Sequence, residues 1–255
     1  MVLLNFKVLN IRNMIVEVCA NSLESALNAQ KAGADRIELC NELAVGGVTP
    51  SFGLLQLIKE HISIPVNVLI RPRSGDFSYS DPEFEIMKKD IALCRDLGFN
   101  GIVSGVLSRD FTLDYKRTKE LIGESGPLQF TFHRAFDWVS DPMATLQQLQ
   151  ELEVDTILSS GQQKSSVQGM ELLTRLLKKS KGCVIMPGGG IRDTNVLKFK
   201  KQGFGAVHLS GIKFHKTLEH TPEIPMSSPG FLRDDEIGIS DLATLKEVVR
   251  LVKEN

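Results

Sequence analysis

Eight short apolar runs alternate with eight longer amphipathic stretches along these 255 residues. That alternation restricts the fold more than any other feature of the chain. The runs fall at 15–20, 35–41, 66–71, 101–107, 128–133, 155–160, 183–186 and 205–210. Between and after them the spacing predicts helices over 22–31, 51–61, 81–97, 114–122, from 141, and over 167–179, 194–202 and 241–253. Their starts carry capping residues: Asn21 or Ser22, Asp81 before Pro82, Asp141 before Pro142, Asp193 and Ser240. Such oxygens accept the unpaired N–H groups of a first turn, where proline also fits. Gly33-Ala34-Asp35, Gly98-Phe99-Asn100 and Gly203-Phe204-Gly205 each end a helix and admit a strand. Val154-Asp155 does so without the glycine. Repeated strand–helix units imply a parallel sheet. Eight of them in a chain near the ~250 residues typical of such folds point to one TIM-like (β/α)8 barrel. We expect a leader at 1–13, the barrel over 14–255, and one long irregular segment at 211–239 containing Pro222, Pro225 and Pro229. A loop of that length in a compact domain is usually functional or partly mobile; following the eighth strand, this one is expected either over the ligand-binding end or as an oligomer contact or disordered tip.

Strand parity then sorts the side chains. Side chains alternate across a strand, and the side facing the helices must be apolar. Val16 and Val18 face out, which turns Glu17 and Cys19 inward. Ile37 and Leu39 do the same for Glu38 and Cys40. Val66, Val68 and Ile70 leave Asn67 and Arg71 inward; Phe130 and Phe132 leave Gln129, Thr131 and His133. Val207 and Leu209 leave His208 and Ser210. Barrel interiors are ordinarily filled by branched aliphatics, and buried charge is costly unless paired or solvated. Polar residues sent inward by five strands therefore mark a site, or a buried ion network, near the C-terminal strand ends.

Several chemistries fit. Glu17, Glu38 and His133 have the types of general acids or bases, with Arg71 as a fourth catalytic candidate. Arg71, Arg73 and Arg134 could clamp a carboxylate or phosphate. After the seventh run comes CVIMPGGGIRD, a strand, a tight turn and a helix start at Asp193. Gly188, Gly189, Gly190, Ser210 and Gly211 follow the last two barrel strands, the usual phosphate position in these folds. The turn differs from a dinucleotide fingerprint, because no acidic residue stands about 20 residues on. Lys164 and Lys213 lie in loops, so an aldolase-type lysine has little support. No GxSxG, HExxH or DxDxDG occurs.

Composition excludes other classes. A formal net charge of −1 without a basic block argues against nucleic-acid or membrane-surface binding. No run approaches the ~20 apolar residues of a membrane span. Four cysteines, Cys19, Cys40, Cys94 and Cys183, are far apart and form no CxxC pair, so neither a disulfide framework nor a zinc finger is indicated. With no secretion signal legible in the first residues, a reducing cytoplasmic setting is expected. Cys19 and Cys40 occupy matching inward positions on strands about 4.8 Å apart. They could be two small buried hydrophobes, or a soft site for Cu(I) with His133 as a third ligand candidate. Cys94 and Cys183 read as structural.

At these residues the chain resembles the CutC copper-homeostasis family. The resemblance is carried by EVCANS at 17–22, RIELCNELAVGGVTPSFG at 36–53, IRPRSGDF at 70–77, FHRAFD at 132–137, ILSSG at 157–161 and MPGGGI at 186–191. It runs from about Met14 to Lys213. It implies a TIM-like barrel, a cytoplasmic location, a homodimer or homotetramer, and a role in copper tolerance through Cu(I) held by Cys19 and Cys40. A barrel enzyme of unknown reaction on a small anionic or phosphorylated metabolite is the alternative, resting on Glu17, Glu38, Arg71, His133 and the glycine turn.

Overall fold

The apolar runs pair side by side as the alternation predicts. The structure, a computed structural model, describes residues 14–224, 226 and 234–254. The expected leader, Pro225 and Pro229 lie outside these described residues. The strands are β1 (Ile15–Ala20), β2 (Arg36–Leu39), β3 (Val66–Leu69), β4 (Gly101–Ser104), β5 (Gln129–Phe132), β6 (Thr156–Ser159), β7 (Val184–Pro187) and β8 (Ala206–Leu209). They alternate with α1 (Leu23–Lys31), α2 (Phe52–His61), α3 (Asp81–Asp96), α4 (Tyr115–Ser125), α5 (Pro142–Glu151), α6 (Met170–Lys179) and α7 (Val196–Lys201). A hairpin of β9 (Ile212–Lys216) and β10 (Glu236–Ser240) precedes α8 (Leu242–Glu254). All neighbouring pairs from β1 to β7, and β1 with β8, are parallel. A single parallel bridge, Gly188 to His208, spans the last gap and makes the barrel nearly closed.

The alternation produces two separate interiors. Val16, Val18, Ile37, Leu39, Val68, Ile102, Phe130, Phe132, Ile157, Ile185 and Val207 pack with the helices in one large cluster. Cys19, Cys40, Leu69 and Val103 form a second cluster, and Leu158, Met186 and Ala206 a third. The register lines up Cys19 with Glu38, Glu38 with Asn67, and Glu17 with Arg36 and His208. The small clusters are therefore the inward residues, with a polar belt beside them.

Three of the expected helix caps differ from the sequence reading, and α6 starts at Met170 rather than at 167. Ser80, not Asp81, caps α3, in a capping box with Glu83, because Pro82 already belongs to the first turn. Asp241, not Ser240, accepts the Thr244 N–H at the start of α8, since Ser240 is spent on the β10 ladder. α7 begins only at Val196, after Asn195, with no side-chain cap; Asp193 accepts the N–H of its neighbour Thr194 instead. The segment expected to be irregular at 211–239 contributes the two arms of the hairpin. β10 is tied to α1 through Asn28 Nδ2 to Ser240 O at 3.0 Å, and Ser240 N to Ser25 Oγ at 3.0 Å.

Candidate functional site at the barrel mouth

The inward residues of β1, β2 and β8 build the floor. Glu17 is fully buried and both its oxygens are used. Arg36 Nε donates to Oε2 at 2.5 Å, and His208 Nδ1 lies 2.8 Å from Oε1. Burial alone would push this carboxyl up; the His208 hydrogen bond and Arg36 outweigh it and hold the group below its ordinary value. Burial likewise opposes charge on His208, yet Glu38 and Glu17 prevail and raise the imidazole. Glu17 does not line the cavity above, so it positions His208 and Arg36. Arg36 was legible in principle: it stands two residues before Glu38 and shares its inward parity.

The soft groups lie next to this pair. Cys19 and Cys40 sulfurs are 3.4 Å apart, and the Cys19 thiol donates to Glu38 Oε1 at 3.3 Å. The contact with Cys40, then burial, then the charge of Glu38 raise the Cys19 thiol well above its ordinary value. Burial raises Glu38 as well, and its Oε2 is buried without a partner. Cys19, Glu38 and His208 each offer a ligand atom within 4.8 Å of the others. His133, the third ligand candidate from sequence, is not in this group; His208 takes that place because β8 pairs directly with β1. Cys94 and Cys183 are buried elsewhere, where burial pushes both thiols to about 12.

Above the floor opens a cavity of about 380 Å³. Cys19, Glu38, Arg71, His133, Arg134, His208, Gly189, Gly190, Ser210 and Gly211 all border it. Arg71 is 5% exposed and spends its Nη atoms on the carbonyls of Val45, Gly47 and Gly75, each at 2.8 Å. His133 Nδ1 accepts from the Ala135 N–H at 3.2 Å. Burial, and next Arg71, push the His133 imidazole down to about 3, so it is neutral. Arg134 bonds Asp137 and Ser160, each at 2.8 Å. Gly189 and Gly190 hold φ of +94° and +79°, which brings bare backbone to the wall.

Two expected anion-site residues lie elsewhere. Arg73 turns out of the barrel mouth to Glu83 at 2.6 Å, and lines a neighbouring open groove of about 720 Å³. Gly188 forms the closing bridge, with no room for a Cβ: one would meet Leu158 Cδ1 at 2.5 Å. The six-residue α7 starts too late to aim a helix terminus at the turn. Conversely, Phe77, Arg192, Lys213 and Thr244 line the cavity although no sequence pattern points to them as anion-site residues. Phe77 and Arg192 come from loops, where no periodicity reports direction, while Lys213 stands on β9 and Thr244 in the first turn of α8.

The CutC family model matches residues 14–213. The copper homeostasis protein cutC homolog of Homo sapiens is 46% identical over 213 residues, covering 80% of this chain and 78% of its own. A CutC family protein of Edwardsiella ictaluri is 49% identical over 197 residues, or 77% of this chain and 78% of its own. Among solved structures, a CutC chain from Streptococcus agalactiae superposes with a TM-score of 0.74 at 31% identity, covering 77% of this chain and 98% of that one. A thiamine phosphate pyrophosphorylase from Pyrococcus furiosus, 14% identical with a TM-score of 0.57 over 96% of this chain and 98% of its own, shares the fold alone.

Proposed function

The chain belongs to the CutC family, and on that premise we propose that it serves copper homeostasis by binding Cu(I) at Cys19 and Cys40. One observation carries the reading: two buried sulfurs 3.4 Å apart, with Glu38 and His208 donor atoms beside Cys19. Thiolate and imidazole form a soft donor set that suits Cu(I) over hard cations. Two thiolate–metal bonds of roughly 2.3 Å at a trigonal angle span about 4.0 Å. The sulfurs therefore have to part by only about half an ångström to take the ion, with His208 as third ligand. Copper is the cargo here, and its entry displaces the thiol protons. The site needs reduced thiols, which fits a cytoplasmic setting; a homodimer or homotetramer, implied by the family resemblance, belongs to the same reading.

Anaerobic competition with a Cu(I) chelator tests it. The native protein and Cys94→Ser should withdraw copper from the chelator, while the Cys19→Ser, Cys40→Ser double variant should not. Equal affinity in all three would remove the site. Retention of native far-ultraviolet dichroism by the double variant separates lost binding from lost folding.

A further inference from the structure

Three buried polar atoms around one cavity have no hydrogen-bond partner among the described residues. Arg71 Nε is one; its guanidinium faces no carboxylate among the described residues and lies 5.0 Å from the Phe77 ring centre. His133 Nε2 is the second. Because Nδ1 accepts the Ala135 N–H, the proton of the neutral ring sits on Nε2, which makes that atom a donor. Glu38 Oε2 is the third, its twin oxygen being taken by the Cys19 thiol. They come from three separate strands or strand ends, β3, β5 and β2, and all three residues line the same space. An orphaned buried group loses its hydration without a replacement hydrogen bond, and the loss is larger when the group is charged. A fold does not keep three such groups together for stability.

Four cationic side chains, Arg71, Arg134, Arg192 and Lys213, border the cavity against one carboxyl, Glu38. Arg134 is matched by Asp137 and Lys213 by Asp241. Arg71 and Arg192, which both line the cavity, have no carboxylate partner among the described residues. Across from Arg71, the wall is bare backbone at Gly189, Gly190 and Gly211, open to close approach. The volume of about 380 Å³ falls in the range of small-molecule sites.

We propose that this cavity binds a small hydroxylated oxyanion, a carboxylate or phosphate metabolite. Arg71 and Arg192 balance its charge, His133 Nε2–H donates to it, and Glu38 Oε2 accepts from its hydroxyl. The inference does not depend on copper. The ion would sit at the thiols on the floor, and the oxyanion occupies the space above them. A phosphate ester and a carboxylate share this recognition chemistry, and the probes below separate them.

The test is calorimetric titration of the full-length, reduced protein, freed of copper by a chelator. The probes are glycerol 3-phosphate, glycerate and inorganic phosphate. A hydroxylated probe should bind saturably and more tightly than inorganic phosphate. Preference for glycerol 3-phosphate assigns the phosphorylated class, and preference for glycerate the carboxylate class. Arg192→Ala, an exposed change that spares the fold, and His133→Asn, which keeps an acceptor for Ala135, should each weaken binding about tenfold, the loss expected of one charge-assisted hydrogen bond. Arg71→Lys should weaken it at least as much. No saturable binding of any probe, inorganic phosphate binding as tightly as the hydroxylated probes, or unchanged affinity in Arg192→Ala and His133→Asn would overturn the proposal.

Discussion

His133 should make the fold lose stability on mild acidification. It is buried, and burial together with the Arg71 charge lowers its imidazole to about 3. In the unfolded chain the same group titrates near 6.5. Below that pH the unfolded chain takes a proton that the folded chain refuses. The contribution is therefore present above the unfolded value and is lost as pH falls from about 6.5 towards about 3. Each unit of that window costs about 1.4 kcal/mol, and integration from pH 7 to pH 5 gives about 2 kcal/mol. His208 acts oppositely, because its folded value is raised and its contribution grows over the same interval. The difference between native protein and His133→Asn isolates the first group. Asn keeps an oxygen to accept the Ala135 N–H, and its smaller volume adds a cost that does not vary with pH. Urea unfolding of both proteins at the two pH values supplies the four free energies. The native protein should lose about 2 kcal/mol more than the variant. Equal losses would mean that the folded state accepts the proton, and would refute the neutral imidazole and its Nδ1 as acceptor of the Ala135 N–H.

Three further outcomes follow from single contacts. Arg36→Met strands half of the fully buried Glu17 carboxylate, and should cost about 3–5 kcal/mol in urea unfolding; a change below about 1 kcal/mol would mean that water reaches the floor. Gly101→Ala places a Cβ 2.4 Å from Asn67 Oδ1 and 2.9 Å from the Gln129 carbonyl, so thermal unfolding should show a loss of about 1–3 kcal/mol, whereas Gly53→Ala, with nothing within 4 Å, should show none of this penalty. Since Cys40, burial and Glu38 together hold the proton on Cys19, Cu(I) affinity should fall as pH drops; chelator competition at two pH values checks this, and a flat profile would place the copper elsewhere.

How much of this was legible in the sequence depends on the range of the interaction. β1 spans the six residues its apolar alternation predicts, and Ser22 and Asp141 cap the helices they precede as expected; Ser51 and Asp114, expected inside their helices, prove to be caps too. Caps and strand periods are settled within a few residues, so local chemistry decides them. Parity also placed Glu17, Glu38, Arg71, His133 and Ser210 on the inner side, because a slip of one residue would expose every outward apolar side chain. Parity tells the side of a strand, not the height around the barrel. Only the inter-strand register, set by packing of the whole sheet, could bring the Cys19 and Cys40 sulfurs together and join Glu17 to a histidine 191 residues away. The same long-range packing put His208 rather than His133 beside the thiols. It turned Arg73 out to Glu83, which a loop residue without periodicity can do unannounced. β9 and β10 pair across an intervening stretch rich in proline, so nothing in either strand alone names its partner. The sequence by itself determined which residues are buried and on which face; tertiary structure decided which of them meet, because contact in a barrel is a property of strand order and stagger rather than of any one segment.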